Sequence, residues 1–131
     1  MNEIPFMAVK IQDDFWSPRL EMNAKQSLIH QWEQLEASGC IQNFRLLADP
    51  TTPGFRQGWF FADSDAYKWL EAAICGYAQY PCDVLLNKIN EFIDLIQSAQ
   101  DQDGYLYTYN QLIFPGSRWE NLQIEHELYC H

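Results

Sequence analysis

Asp63-Ser64-Asp65-Ala66-Tyr67-Lys68-Trp69-Leu70-Glu71-Ala72-Ala73 is the stretch whose reading decides the fold. Asp63, Ser64 and Asp65 offer oxygens to the first free backbone N–H groups of a helix, and their charge suits its positive end. Ala66 or Tyr67, Leu70, Ala73, Ile74 and Tyr77 then recur three or four residues apart, so one stripe is apolar. Tyr80-Pro81 stops the run, because proline cannot continue a helix and disfavours helical geometry just before itself. After the short turn Pro81-Cys82-Asp83, the residues Leu85, Ile89, Phe92, Ile93, Ile96 and Ala99 mark another helix of roughly 17 residues. Two long helices joined by so short a turn lie antiparallel, as an αα-hairpin. The spacing predicts an all-α class.

Upstream of this hairpin, Met7-Ala8-Val9-Lys10-Ile11 reads as a short N-terminal strand, followed by the polar turn Gln12-Asp13-Asp14. Ser17 suits a helix cap and Pro18 a first helical position. Leu20, Ala24, Leu28, Trp32 and Leu35 repeat at helical spacing up to Gly39, which predicts a helix of about 18–20 residues. From Cys40 to Ala62 no period survives among Pro50, Pro53, Gly54 and Gly58. So long a connection without elements is unusual in a compact domain and is often functional. Downstream, Asp101-Gln102-Asp103-Gly104 signals a turn, and Tyr105, Tyr107 and Tyr109 alternate as on a short strand or extended arm. From about Glu120, Leu122, Glu125 or His126 and Tyr129 return to helical spacing.

Composition narrows the function classes. The 131 residues make one domain at most, and 47% of them are apolar, which fits a globular chain. The formal net charge is −10 and the eight basic residues are scattered singly, which argues against nucleic acid or an anionic membrane as partner. No run approaches the roughly 18 apolar residues of a membrane span. The start of the chain lacks the pattern of a secretory signal, and Cys40, Cys75, Cys82 and Cys130 form no C-x-x-C pair. Reduced thiols and a cytoplasmic location are the expectation.

Three constellations carry possible chemistry. Asp101-x-Asp103-Gly104 has the start of a calcium loop, but Tyr105 interrupts the later ligand positions, which leaves a turn. His126-Glu127-Leu128-Tyr129-Cys130-His131 approaches H-E-x-x-H with a cysteine where the second histidine belongs, so His126, Cys130 and His131 define a small metal site as an alternative. Glycoside hydrolysis asks for a pair of carboxylates, to be sought among Asp63, Asp65, Asp103 and Glu127. Aromatic residues reach 15%, and their faces serve both as core filling and as platforms for sugar rings.

Five segments in order resemble the N-terminal part of glycoside hydrolase family 127, the β-L-arabinofuranosidase family. They are Asp14-Phe15-Trp16-Ser17-Pro18-Arg19, Gly39-Cys40-Ile41-Gln42-Asn43-Phe44, Asp63 to Ala72, Ala99-Gln100 with Asp103-Gly104-Tyr105-Leu106, and His126-Glu127-Leu128-Tyr129-Cys130. The resemblance implies an (α/α)6 barrel of paired antiparallel helices with the active site at one mouth. It further implies a retaining mechanism with a zinc-bound cysteine as nucleophile and a glutamate as acid and base. A thiolate held on zinc is deprotonated at neutral pH. In the family those groups lie well beyond the His-Glu-Leu-Tyr-Cys segment. The family pattern continues past Cys130 with a small residue, Gly and His, whereas this chain has His131.

What carries over is therefore limited. His126 matches a histidine lining the sugar subsite, and Asp63, Asp65, Tyr67 and Tyr105 match motifs near the pocket mouth, as supports of the pocket. The four cysteines fall outside the family's zinc motif. Residues 1–131 are expected to form an incomplete N-terminal part of the barrel domain, with no catalytic residue, metal ligand or cofactor of its own, although zinc is expected for the complete enzyme. An arabinose-containing glycan is the expected substrate of the parent enzyme. Trp16, Trp32, Phe60, Phe61 and Trp69 are expected to leave apolar surface exposed, which invites self-association. The alternative from another class is a non-catalytic helical module that binds carbohydrate or a partner chain.

Overall fold

Trp32 and Trp69 meet at the centre of the molecule, ring centroids 4.6 Å apart. The computed structural model describes residues 4–130, and among them every regular element is helical. Helix α1 (Trp16–Met22) runs through a π turn (Asn23–Ser27) into α2 (Leu28–Ala37). Then come α3 (Cys40–Ala48), α4 (Asp63–Gln79), α5 (Asp83–Ala99), α6 (Thr108–Ile113) and α7 (Glu127–Cys130). No described helix is long and apolar enough to cross a membrane.

The αα-hairpin of α4 and α5 has the bounds its periodicity predicts, and α2, α3, α4 and α5 close on one core. Phe44 and Phe92 sit edge to face at 5.0 Å, with Trp32, Ile41, Leu85 and Ile89 packed around them. Burying rings such as these contributes about 1.5–3 kcal/mol each. Trp32 and Trp69 are therefore covered rather than exposed as expected, because the four helices present here already enclose them. Trp16 does remain half exposed, and Phe60 and Phe61 are partly so. On α4 the buried stripe is Ala66, Trp69 and Ala73, while Ile74 faces out. The close approach of α4 to the start of α2 is made at Gly76, where a Cβ would lie 2.7 Å from Leu28 Cδ1. Two turns earlier on α4, the buried Trp69 Nε1 donates to the Leu28 carbonyl at 2.8 Å.

Four expectations change. The segment 7–11 is no strand: Phe6–Ala8 forms a 3-10 turn, and without a partner strand among the described residues a Val-Ile alternation has no ladder to join. The cap of α1 is Asp13, not Ser17. Asp13 Oδ1 accepts the N–H groups of Phe15 (2.9 Å), Trp16 and Ser17 (3.3 Å), and Ser17 Oγ accepts the Asp13 N–H at 3.0 Å. The connection 40–62 opens with the nine residues of α3, which starts directly after Gly39 turns the chain at φ 78°. Tyr105 and Tyr107 do lie on an extended arm, but Tyr109 falls inside α6. The Asp101–Gly104 turn forms as predicted, closed by Gly104 N–H on the Asp101 carbonyl at 2.8 Å.

Candidate functional site

The connection between α3 and α4 is held by side chains that no periodicity reveals. Asn43, fully buried on α3, donates from Nδ2 to the Gln57 carbonyl and accepts the Gln57 N–H at Oδ1, both at 2.9 Å. Arg56 turns its guanidinium inward, with a side chain only 3% exposed. Its nitrogens donate to the carbonyls of Gln57 (3.3 Å), Gly58 (3.0 Å), Trp59 (2.8 Å) and Phe60 (3.4 Å), and Nε reaches Thr108 Oγ1 at 3.3 Å. Cys40 Sγ donates to the Ala62 carbonyl at 3.1 Å, where the loop enters α4.

Asp63 is the other half of this network. It was expected to cap α4, but the first N–H groups of that helix bond to the Phe61 and Ala62 carbonyls instead. The fully buried Asp63 carboxylate accepts the Thr108 N–H at Oδ2 and the Thr108 hydroxyl at Oδ1, both at 2.6 Å, and lies 3.9 Å from Arg56. Burial pushes the Asp63 carboxyl up, against the hydrogen bonds of Thr108 and the charge of Arg56. Burial likewise pulls the Arg56 guanidinium down, against Asp63. Neither charge is left alone, which is the condition for burying one at all.

Just before Thr108 the arm carries two tyrosines that fix the segment around His126. Tyr107 donates its hydroxyl to the Glu125 carbonyl, and Tyr105 donates to Glu127 Oε1. Glu127, with no exposed surface, also accepts the Trp119 N–H at Oε2 (2.7 Å). His126 is thus anchored through both neighbours. It holds a φ of 53°, in the left-handed region that a non-glycine residue seldom adopts. Its exposed ring packs edge-on to Phe60 (5.2 Å) and nearly parallel to Phe61 (5.9 Å, 29°), with Tyr129 beside it at 6.5 Å.

The residues singled out in the sequence separate on this map. His126 is exposed beside Phe60, Phe61 and Tyr129, Tyr105 reaches its neighbour Glu127, and Asp63 holds the loop and the start of α6 through Arg56 and Thr108. Asp65 is exposed and pairs with Lys68 at 3.7 Å, and the Lys68 ammonium lies 5.1 Å over the Tyr129 ring. Tyr67 points the other way, into the core against Phe44 and Phe92, and its buried hydroxyl has no hydrogen-bond partner among the described residues. Asp103 is taken by Arg118 at 2.8 Å. Of the four candidate carboxylates, Asp63 and Glu127 are buried and bonded to Thr108 and to Tyr105 and Trp119, while Asp65 and Asp103 are exposed and paired with Lys68 and Arg118. Arg56, Thr108, Asn43 and Glu127 are the supporting residues that pattern reading missed as such. Only the odd isolation of Arg56 in an apolar, glycine-rich loop hinted at one of them.

Neither cysteine near the network is a ready nucleophile. Burial, with Asp63 close by, pushes the Cys40 thiol up to about 12 and the Cys130 thiol up to about 11, so both are protonated at neutral pH. Among the described residues no three His, Cys, Asp or Glu side chains gather to hold a metal. Cys130 is buried while His126 is exposed, and His131 lies outside the described residues. The described residues therefore gather no ligand set that fits the zinc which the family resemblance implies for a complete enzyme.

Known proteins match this arrangement in sequence and in shape. Residues 8–131 match the family described as β-L-arabinofuranosidase, GH127 catalytic domain. A non-reducing end β-L-arabinofuranosidase of Bifidobacterium longum subsp. longum is 29% identical over 146 residues, covering 94% of this chain and 22% of that protein. The crystal structure of a GH127 β-L-arabinofuranosidase from Geobacillus stearothermophilus T6 superposes with a TM-score of 0.86 at 36% identity, over 93% of this chain and 20% of the other. A second solved GH127 β-arabinofuranosidase gives 0.81 at 30%, over 97% and 21%. The chain spans about a fifth of the length of these relatives. With a family match over nearly its whole length, and helices that superpose on those of two solved members, this chain belongs to the β-L-arabinofuranosidase catalytic-domain family, GH127.

Proposed function

We propose that residues 1–131 form an N-terminal part of the (α/α)6 barrel of a β-L-arabinofuranoside-processing enzyme, and that the chain contributes a sugar subsite at His126. One observation carries this. His126 is held in a left-handed conformation, its ring is exposed among Phe60, Phe61 and Tyr129, and its neighbours are tied down by Tyr107 on the Glu125 carbonyl and Tyr105 on the Glu127 carboxylate. Strain of that kind costs roughly 1–3 kcal/mol and persists where the surroundings over-determine it, which is common at ligand sites. An imidazole offers a donor and an acceptor to sugar hydroxyls, and the neighbouring rings offer apolar faces to its C–H groups.

By itself the 131-residue chain binds and does not hydrolyse. A retaining displacement with a zinc-held cysteine and a glutamate acid and base, which the family resemblance implies for the complete enzyme, needs groups that these residues do not gather. The terminal arabinofuranosyl group of a glycan is the ligand class, and a reducing, cytoplasmic setting agrees with four unpaired cysteines, one of them exposed. A carbohydrate-binding role without catalysis is the second reading, favoured by the exposed rings of Phe55 and Trp59.

Two assays test this with the purified chain. Hydrolysis of an aryl β-L-arabinofuranoside is expected to stay at background, and a clear rate overturns the claim of catalytic incompleteness. Binding of methyl β-L-arabinofuranoside, followed by NMR, is expected to vanish in His126→Ala, and its persistence there moves the site elsewhere.

A further inference from the structure

Trp59 combines two properties that seldom coincide. The residue is 71% exposed, yet its backbone is among the most firmly held in the loop. The Trp59 carbonyl accepts both the buried Arg56 guanidinium at 2.8 Å and the Ala62 N–H at 3.0 Å. Gln57, two residues earlier, is clamped by Asn43 through both its backbone groups. A large ring left in water loses the gain of burial, about 1.5–3 kcal/mol for a phenylalanine-sized side chain. Here the loop beneath that ring is fixed by a buried cation, a buried carboxylate and a buried amide. The chain has arranged a rigid mount for an uncovered indole.

The direction of the ring gives the mount a use. Trp59 lies parallel to Phe61, with an interplanar angle of 2° and centroids 6.3 Å apart. Phe61 in turn lies nearly parallel to His126. Trp59, Phe61 and His126 are therefore successive rings of similar orientation, with the exposed indole at one end and the exposed imidazole at the other. We propose that Trp59 is a sugar-stacking residue that receives the unit next to the one held at His126, so that the chain prefers an arabinofuranosyl group attached to another sugar over the same group alone. This rests on the assignment of a sugar subsite to His126. An indole with few rotatable bonds on a fixed backbone gives up little entropy when a sugar ring settles on it, which is how preorganised aromatic sites gain affinity.

The test uses the 131-residue chain and the indole N–H resonances of its five tryptophans. The probes are methyl β-L-arabinofuranoside and a disaccharide of two arabinofuranosyl units. The disaccharide is expected to bind at least tenfold more tightly and to shift the Trp59 resonance, while those of the buried Trp32 and Trp69 stay in place. Trp59→Ala is expected to fold, since the side chain is mostly exposed, and circular dichroism checks this. In that variant the tenfold preference is expected to disappear, with affinity for the methyl glycoside kept within about twofold. A preference that survives Trp59→Ala overturns the proposal, as does a disaccharide that binds no better than the methyl glycoside, or no binding of either sugar. His126→Ala separates the two assignments. If the methyl glycoside still binds that variant, the His126 subsite fails, whereas a disaccharide preference lost only in Trp59→Ala still places a sugar on the indole.

Discussion

The loop 49–62 and the N-terminal segment 4–15 both lack long elements and both carry exposed apolar side chains, yet they are held in opposite ways. Asn43, Arg56 with Asp63 and Thr108, and the Cys40 thiol grip the loop backbone from inside the molecule. The N-terminal segment touches the hairpin through an exposed contact, Gln79 Nε2 to the Val9 carbonyl at 3.2 Å. Beside it lies an open apolar groove of about 700 Å³ between Phe6, Val9, Ile11 and Leu20. An exposed ring on a pinned backbone is suited to meet a small ligand in one geometry. Exposed apolar residues on a loosely tied segment are suited to be covered by more polypeptide. The same surface chemistry thus divides into two uses according to the polar groups beneath it.

The comparison breaks most visibly at Asp63. Asp63→Ala leaves the Arg56 guanidinium buried without its carboxylate and frees the start of α6, so a loss of about 3–5 kcal/mol is expected. Against a typical domain stability of roughly 5–15 kcal/mol, urea unfolding should begin at much lower denaturant. A midpoint like that of the wild-type chain would mean that the network does not hold the loop.

Asn43→Ala follows in size. It removes the two bonds to Gln57, and because Gln57 is exposed and its backbone can turn to water, the low end of the range for an unmade buried pair applies, about 1–2 kcal/mol. Its sharper signature is local. Amide exchange at 56–60 should accelerate at least tenfold while α5 keeps its protection, and uniform acceleration would place Asn43 in the global core instead.

How much of this was legible depended on which force shaped each part. Leu85, Ile89 and Phe92 betray their helix because burial of one face repeats every turn, and the α4–α5 hairpin could be drawn from that alone. Helix α3 escaped because it is nine residues long and puts Asn43 on its buried face. That amide breaks an apolar pattern but is the residue that holds the loop. Asp63 escaped for a related reason. A carboxylate at a helix start is the sequence signature of a cap, and nothing local distinguishes it from a carboxylate that serves Thr108, 45 positions away. At the aromatic cluster, His126 was named through its family motif, while Thr108 was invisible and Arg56 showed only as a lone cation in its loop, since a network of single polar residues far apart in sequence has no period. Val9 and Ile11 misled in the other direction, because branched residues promise a strand only where a neighbouring strand exists.

A pH dependence comes next, absent at neutrality and confined to alkaline solution. The fold holds Cys40 protonated up to about pH 12 and Cys130 up to about 11, while in the unfolded chain both thiols release their protons nearer 9. For a group whose folded pKa is raised, the contribution to stability is complete below the unfolded pKa and is lost as pH climbs toward the folded one. The urea midpoint should therefore fall between pH 9 and 12, and Cys40→Ala should flatten that fall while leaving the trend below pH 9 unchanged. At pH 8 the exposed Cys75 should react with a thiol reagent well before Cys40 and Cys130.

The smallest effect on stability is expected at the other pole of the comparison. Phe6 and Trp16 are both more than half exposed, so replacing each by serine removes little buried area and should move the unfolding free energy by no more than about 0.5 kcal/mol. Association should respond instead. If this flank is a surface waiting to be covered, the wild-type chain will self-associate as its concentration rises, and the double variant Phe6→Ser, Trp16→Ser will sediment as a monomer over the same range. Should the variant associate as readily as the wild type, the uncovered rings of the N-terminal flank are not the adhesive surface. The pinned loop, with Phe55 and Trp59 exposed, would then be the surface to suspect, and adding an arabinofuranosyl disaccharide would be expected to disperse the aggregate by occupying it.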